Sequence, residues 1–259
     1  MQCVILAGGR GSRISEETFD KPKPLIKICD KPILLHIIEI YKLFGVKEFI
    51  ICLGYKGEKI KEYFLNFDYY ENNFEVSYKY KNKNKKLLSN KTKKDFKIKL
   101  IDTGQDSNTG ERLKRVEKYI NKQNFFFTYG DGVGNIEINK LLSFHKKNKK
   151  IATMTLSHPS GRWGVVNADK NGLITSFKEK APTSSWVNSG FFVLNKKIFK
   201  FLKKFENPVF EKKPLENLTK LKELMGFKNE NFWQPVDTMR DKNLLEKIYK
   251  KYGSWNNVK

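Results

Sequence analysis

A short apolar run that ends in two glycines constrains the fold more than any other feature of the chain. Residues Cys3 to Ala7 are continuously apolar, and Gly8 and Gly9 follow directly. A continuous apolar run of this length, bounded by a turn signal, is typical of a parallel strand buried on both faces. The chain therefore predicts a buried parallel strand close to its beginning, followed by a glycine-rich turn.

The same pattern recurs and alternates with helical patterns through the first half of the chain. Buried runs at Glu48 to Leu53 and Phe125 to Tyr129 predict further strands, and Glu75 to Tyr80 alternates like a strand. Helical spacing of apolar residues predicts helices at Pro32 to Phe44 and at Thr109 to Asn121, the latter with Thr109 as its N-cap. This alternation predicts an α/β fold with a doubly wound, mostly parallel sheet.

The second half of the chain has a different rhythm. Short strand patterns separated by turn residues run from residue 151 to 194, including 164–167 and 174–179. A Lys- and Leu-rich section from Lys196 to Leu224 predicts helices, and Arg240 to Tyr252 predicts a closing helix. Because no long linker separates the two parts, we expect a single domain over residues 1–259, with parts 1–150 and 151–259.

The net charge of +23 raises the question of nucleic-acid binding. The excess is nearly all Lys, spread along the chain together with abundant Asn, Ile, Phe and Tyr, which is typical of a codon bias. The aromatic and basic interleaving of known nucleic-acid modules is missing, so we expect no nucleic-acid partner. The dense stretch from Lys79 to Lys99 fits a solvated loop, a lid that attracts phosphates, or a polyanion-binding patch.

Targeting signals give no reason to place the protein at a membrane. The apolar runs fall short of a membrane span, and the N-terminus lacks the pattern of a signal peptide. Cys3, Cys29 and Cys52 are widely spaced and form no CxxC motif, which is typical of reduced thiols. We expect a cytoplasmic protein without a membrane partner.

The glycine-rich turn favours phosphate binding. Glycines let backbone N–H groups approach a phosphate chain, and Arg10, Arg13 and the more distant Lys23 add positive charge. The segment lacks the GxxxxGK[ST] pattern of a P-loop, and Ile14 stands where a dinucleotide fingerprint needs a small residue.

An aspartate at the end of a predicted strand is the first candidate for a metal ligand. Asp131 follows the run that ends at Tyr129, and ligands bind at the carboxyl ends of parallel strands. Carboxylate oxygens are the ligands that Mg²⁺ prefers. The flanking Gly130 and Gly132 fit a plain turn equally well, and Asp237 is a weaker candidate when taken alone.

These segments together resemble the sugar-1-phosphate nucleotidyltransferase family. The resemblance rests on Leu6 to Arg13, Lys21 to Leu25 and Thr128 to Val133, and it continues in five further segments. These segments are 102–104, 109–115, 177–180, 188–194 and 232–238. Asp102 to Gly104 and Thr109 to Arg115 are most similar to the glucose-1-phosphate cytidylyltransferase branch. Glu111 and Ser189 depart from the branch pattern, which has glycine at both places.

The resemblance implies a Rossmann-like nucleotidyltransferase fold and assigns a role to each matching residue. Arg13 and Lys23 are the implied catalytic residues, and Asp131 with Asp237 the implied Mg²⁺ ligands. The implied nucleotide-binding residues are Leu6, Ala7, Gly8, Gly9, Arg10, Gly11, Ser12, Arg13, Lys23, Gly104, Thr109, Gly110, Arg112, Gly130 and Asp131. The implied sugar-phosphate-binding residues are Glu179, Lys180, Asn188 and Gly190.

The resemblance also implies a reaction and an assembly. CTP and glucose 1-phosphate give CDP-glucose and pyrophosphate, with Mg²⁺ as cofactor, in the synthesis of deoxysugars for surface polysaccharide. Such enzymes are often homo-oligomers. UTP or dTTP remains an alternative to CTP, because the same catalytic residues serve each nucleotide. Residues 1–150 are implied to bind the nucleotide and residues 151–259 the sugar.

Overall fold

The computed structural model describes residues 1–79, 82–88, 95–158, 165–168, 174–178 and 185–258. The strands, numbered β1 to β15, are Gln2–Leu6, Lys27–Ile28, Lys31–Pro32, Glu48–Leu53, Phe74–Lys79, Asn82–Leu87, Lys97–Asp102, Asn124–Tyr129, Gly132–Gly134, Ala152–Ser157, Val165–Ala168, Ile174–Lys178, Val187–Asn195, Leu224–Lys228 and Trp233–Pro235. The α-helices, numbered α1 to α9, are Ser15–Thr18, Ile33–Lys42, Gly57–Leu65, Phe67–Glu71, Thr109–Arg115, Ile138–Asn148, Ile198–Leu202, Lys213–Lys220 and Met239–Tyr252. Short 3-10 helices are Ser12–Ile14, Lys23–Leu25, Glu117–Tyr119 and Trp255–Asn257.

A seven-stranded sheet forms the centre of the molecule. Its order is β14-β10-β13-β8-β1-β4-β7. The pairs β10·β14, β1·β8, β1·β4 and β4·β7 are parallel, whereas β13 runs antiparallel to both of its neighbours. The predicted α/β fold with a mostly parallel sheet is confirmed.

The side chains of β1 contribute to two separate hydrophobic cores, because successive side chains of a strand point to opposite faces of the sheet. Cys3 and Ile5 belong to a core with α2 and the C-terminal segment around Trp255. Val4 and Leu6 belong to the other core, together with residues of α5, α7 and α8. We refer to these as the α2 face and the α5 face of the sheet.

The order of the strands creates a switch point at the carboxyl end of β1. The chain passes from β1 to β4 and then to β7 on one side, and β8 returns to pair with the other side of β1. The segments that follow β1 and β8 lead to α2 and α6 on the α2 face, whereas the segment that follows β7 leads to α5 on the opposite face. In doubly wound sheets this divergence opens the crevice in which ligands bind.

Some expectations about single elements are wrong. Helix α5 begins at Thr109 with Asn108 as its N-cap residue, because the Thr109 hydroxyl is engaged by Phe210 and Glu211. The helix ends at Arg115 rather than at residue 121, and a 3-10 turn follows.

The section from Lys196 to Leu224 also differs from the expected run of helices. It contains two short helices, α7 and α8, and Leu224 begins the edge strand β14, which pairs parallel with β10. Asn207 lies at a φ of 41°, a left-handed conformation that does not continue a helix, and Pro208 follows it.

Two segments of the Lys79–Lys99 stretch adopt regular structure. Strand β6 pairs antiparallel with β5, and β7 begins at Lys97. Residues 80–81 and 89–94 lie outside the described residues, so the choice among loop, lid and patch stays open there. Among the described residues, no helix combines the length and the apolar character needed to cross a bilayer.

Replacing Phe127 by Ala should strongly destabilise the fold. Its ring is fully buried on the α5 face, with centroids 5.6 Å from Phe192 and 5.0 Å from Phe210. Phe-to-Ala changes in cores lower the free energy of unfolding by about 3–5 kcal/mol. Urea unfolding measures this loss. Phe19→Ala, at a side chain that is 87% exposed, is the control and should change stability by less than about 0.5 kcal/mol.

Candidate active site

A cavity of about 430 Å³ lies at the switch point of the sheet. Loops after β1 and β8 and the start of α5 form its walls. Its lining residues are Leu6, Ala7, Gly8, Gly9, Gly11, Ser12, Arg13, Lys23, Pro24, Ser107, Asn108, Thr109, Arg112, Tyr129, Gly130, Asp131 and Glu211. Twelve of these are among the residues that the sequence predicted as nucleotide-binding.

The glycine-rich loop needs glycine for two different reasons. Gly11 has a φ of 66°, and a Cβ there would lie 2.9 Å from Thr18 Cγ2. At Gly9, by contrast, no described atom lies within 4 Å of the place a Cβ would take. The loop is therefore shaped by glycine at Gly11, whereas the backbone at Gly9 is open to the close approach of a ligand.

The Arg112 guanidinium ties together the ends of three strands. Its Nη2 donates to the Gly8 carbonyl at 2.9 Å, and its Nη1 donates to the Leu53 carbonyl at 2.9 Å and the Gly104 carbonyl at 2.7 Å. Two more bonds reach Thr103 and Gln105. Burial lowers the pKa of Arg112, but the ordinary pKa of a guanidinium is so high that the group stays charged.

This guanidinium also explains two glycines beside it. A Cβ at Gly8 or at Gly54 would lie 2.3 Å from Arg112 Nη1. Both positions must therefore lack a side chain if the guanidinium is to reach the strand ends. Arg112 lines the cavity, but its two terminal nitrogens already donate to protein oxygens.

A lysine lies between two carboxylates on the α2 side of the cavity. Lys23 Nζ is 2.7 Å from Asp131 Oδ2 and 2.9 Å from Asp237 Oδ1. Arg13 Nη1 is 2.8 Å from the other oxygen of Asp237. The four predicted residues thus meet, although Asp237 lies more than two hundred positions after Arg13 in the chain.

Backbone contacts fix both carboxylates in place. The Val236 N–H donates to the Asp131 carbonyl at 2.8 Å, which joins the segments that carry the two carboxylates. Asp241 accepts from the Asp237 N–H at 3.1 Å and forms a capping box with Thr238 at the start of α9. A helix N-terminus therefore orients the segment that holds Asp237.

The Lys23 ammonium is held in its charged form. Burial alone would lower the pKa of Lys23, but attraction to Asp131, followed by hydrogen bonds to both carboxylates, outweighs it and raises the pKa. The carboxylates therefore share a cation in the structure.

Two aspartates around one cation fit a Mg²⁺ site. Carboxylate oxygens suit this ion, which usually keeps several water ligands and needs only one or two protein carboxylates. No group of three or more His, Cys, Asp or Glu side chains arranged to hold a metal occurs in the described part of the chain. The residues present fit an ion that also binds phosphate oxygens, rather than a site built from protein ligands alone.

A second polar group lies on the α5 side of the cavity. Thr109 Oγ1 donates to Glu211 Oε2 at 2.6 Å and accepts from the Phe210 N–H at 2.9 Å. Burial, and then the charge of the Glu211 carboxylate, raise the pKa of Tyr129, so its hydroxyl keeps its proton.

The cavity lining does not include three of the predicted nucleotide-binding residues, which are Arg10, Gly104 and Gly110. Arg10 forms an exposed ion pair with Asp106. Gly104 has a φ of 85°, and the Gly110 N–H donates to the Pro208 carbonyl at 2.9 Å. These three residues thus position the neighbouring loops.

The sugar-phosphate candidates are only partly described. Asn188 Nδ2 lies 3.2 Å from the Tyr129 hydroxyl, and a Cβ at Gly190 would lie 2.6 Å from the Tyr129 ring. Both residues therefore contact a side chain that lines the cavity. Glu179 and Lys180 lie outside the described residues.

Sequence reasoning missed several residues that line the cavity. Tyr129 could have been predicted from the sequence, because it directly precedes Gly130 and Asp131 in a segment already recognised. Ser107 and Asn108 fall between recognised segments. Glu211 gave no signal, because it stands in a Lys-rich section without a motif.

The chain belongs to the nucleotidyl transferase family, whose model matches residues 2–242. It is 44% identical over 253 residues to the curated glucose-1-phosphate cytidylyltransferases of Salmonella typhimurium and Salmonella typhi, covering 97% of this chain and 96% of each relative. The resemblance found in the sequence is confirmed.

A solved structure supports the fold independently of close sequence similarity. UDP-glucose pyrophosphorylase in complex with UDP-glucose matches with a TM-score of 0.68 at 16% identity, over 96% of this chain and 98% of that one. At this identity the match establishes the shared architecture of the sheet.

Arg112→Leu should destabilise the protein through the strand ends. The change removes the guanidinium donor from the carbonyls of Gly8, Leu53 and Gly104, and hydrogen bonds to charged groups contribute about 1.5–3 kcal/mol each. We expect urea unfolding to show a loss of about 3 kcal/mol. Arg10→Leu is the matched control, because its exposed ion pair should contribute less than about 1 kcal/mol. Equal losses in both variants would contradict the role given to Arg112.

Proposed function

We propose that the protein transfers a cytidylyl group from CTP to α-D-glucose 1-phosphate, which gives CDP-glucose and pyrophosphate. The observation that carries this proposal is the 44% identity, over 97% of the chain, to glucose-1-phosphate cytidylyltransferases. The cavity supports it, because glycine amides and the cations of Arg13 and Lys23 meet at its wall. A nucleoside triphosphate requires such an arrangement.

The reaction is an in-line displacement at the α-phosphorus. An oxygen of the sugar phosphate forms the new P–O bond, and the bond from the α-phosphorus to the β-phosphate bridging oxygen breaks, so that pyrophosphate leaves with the electron pair. Both reactants are anions, so positioning and neutralisation of charge dominate catalysis. Arg13 and Lys23 would stabilise the charge that develops on the phosphoryl oxygens, and the loop Leu6 to Ser12 would hold the phosphates.

Asp131 and Asp237 would hold Mg²⁺, as their shared cation suggests. The bound ion would supply positive charge that aligns the triphosphate. Lys23 would then turn its ammonium from the carboxylates to the phosphates. Glu179, Lys180, Asn188 and Gly190 would bind the sugar phosphate, and Gly104, Thr109, Gly110 and Arg112 would shape the place of the base.

The remaining assignments extend this proposal to the whole protein. Residues 1–150 would bind the nucleotide and residues 151–259 the sugar within one domain. The protein would act in the cytoplasm as a homo-oligomer and supply CDP-glucose for the synthesis of deoxysugars of surface polysaccharide, including O antigen of lipopolysaccharide. Neither nucleic acid nor membrane would be a partner.

Pyrophosphate release from the purified protein with Mg²⁺ and glucose 1-phosphate tests the reaction. CTP, UTP, dTTP, ATP and GTP are compared side by side. We expect a strong preference for CTP. Preference for UTP or dTTP would keep the mechanism and overturn the cytidylyl assignment, and inactivity with all five would contradict the reaction with this sugar phosphate.

Asp237→Asn should weaken metal binding more than nucleotide binding. Binding of Mn²⁺ in place of Mg²⁺, followed by electron paramagnetic resonance with CTP present, measures the metal directly. Loss of a ligand should cost more than the roughly tenfold penalty of disturbing an outer partner of a ligand. Asp68→Asn, at an exposed position on α4, is the control. An unchanged Mn²⁺ affinity in Asp237→Asn would remove Asp237 from the metal site.

A further inference from the structure

The two polar groups of the cavity lie over opposite faces of the sheet. Lys23 and the two aspartates lie with Ala7, Val133 and Val236, which belong to the core of the α2 face. Thr109 and Glu211 lie beside Phe210, which belongs to the core of the α5 face. The cavity thus carries two cations paired with two carboxylates on one side and a single carboxylate on the other.

This separation orients a nucleotide in the cavity. The triphosphate of the proposed substrate belongs beside Arg13, Lys23 and the glycine loop, because these groups attract anions. The nucleobase then extends toward the α5 side, where Ser107, Thr109 and Glu211 line the wall. A carboxylate there would repel phosphates, but it readily accepts hydrogen bonds from a base.

Glu211 is held as a pre-positioned acceptor. The Thr109 hydroxyl donates to its carboxylate at 2.6 Å. An ionised carboxylate has about four lone-pair sites and donates nothing, so it can accept further bonds after this one.

The segment that carries Glu211 is itself attached to α5. The Asn108 N–H donates to Asn207 Oδ1 at 2.8 Å, and the Gly110 N–H donates to the Pro208 carbonyl at 2.9 Å. The wall from residue 207 to 211 and the start of α5 therefore form one unit.

We propose that Glu211 determines the choice of base by accepting a hydrogen bond from the exocyclic amino group of cytosine. This inference rests on the proposed cytidylyl transfer. Cytosine presents an amino donor at C4, whereas uracil and thymine present a carbonyl oxygen at the same place. A carboxylate that faces this position attracts the first base and repels the other two.

Glu211→Gln tests the proposal with little change in shape. The Gln carbonyl can still accept from Thr109, while its amide can donate to the carbonyl of uracil. We expect the ratio of kcat/KM for CTP to that for UTP to fall at least about tenfold, with UTP improved or unchanged. The affinities of CTP and UTP without the sugar, measured by calorimetry, should shift in the same sense.

Glu216→Gln, at an exposed position on α8, is the matched control and should keep the ratio of the wild type. Thermal unfolding checks that each variant is folded. If Glu211→Gln is unstable, Glu211→Asp provides the second test, because its shortened carboxylate should weaken CTP while leaving UTP nearly unchanged.

Failure of the inference can be told apart from failure of the proposed function. A wild-type enzyme without preference for CTP would overturn the cytidylyl assignment and this inference with it. A wild-type preference for CTP that persists in Glu211→Gln would overturn the inference alone. Equal losses for CTP and UTP would assign Glu211 a purely structural role. A change in the preference for CTP over dCTP in Glu211→Gln would show that the carboxylate binds the ribose. Each of these last two results would contradict the proposal.

Discussion

The bonds from Arg112 to the ends of three strands are the constraint on which the cavity depends. Parallel strands end in carbonyl groups that need donors, and a single buried guanidinium supplies several of them at once. This arrangement leaves no room for a side chain at two neighbouring positions, so Gly8 and Gly54 must both be glycine. The open loop at the switch point thus follows from the need to satisfy backbone carbonyls as much as from ligand binding.

The two polar groups of the cavity show how the fold divides its tasks. The α2 face holds Lys23 between Asp131 and Asp237, where charges balance each other. The α5 face holds Thr109 with Glu211, where hydrogen bonds set the position of one carboxylate. A long anionic ligand with a neutral base at one end matches this division. The proposed reaction requires such a ligand.

The structural features that could be predicted from the sequence are those that have a local sequence pattern. Buried runs such as Cys3 to Ala7 predict strands because both faces of a parallel sheet are covered, and the strand order then brings Gly8 and Asp131 to one edge. Asp237 was identified only through family resemblance, since nothing near it in the chain indicates its partner. Glu211 and the edge strand β14 escaped prediction, because their roles arise from tertiary pairing with Thr109 and β10. The assignments of individual site residues remain predictions.

The position of β13 ties the two parts of the chain together. This strand comes from the second part, yet it pairs with β8 of the first part, and Pro208 caps backbone groups of α5. A fragment ending at residue 150 would lose a wall of the cavity, the carboxylates of Glu211 and Asp237, and the strand beside β8. The two parts are therefore not modules that can be exchanged between relatives. A chimaera would have to keep β13, the segment 207–211 and Asp237 with the first part in order to preserve the cavity.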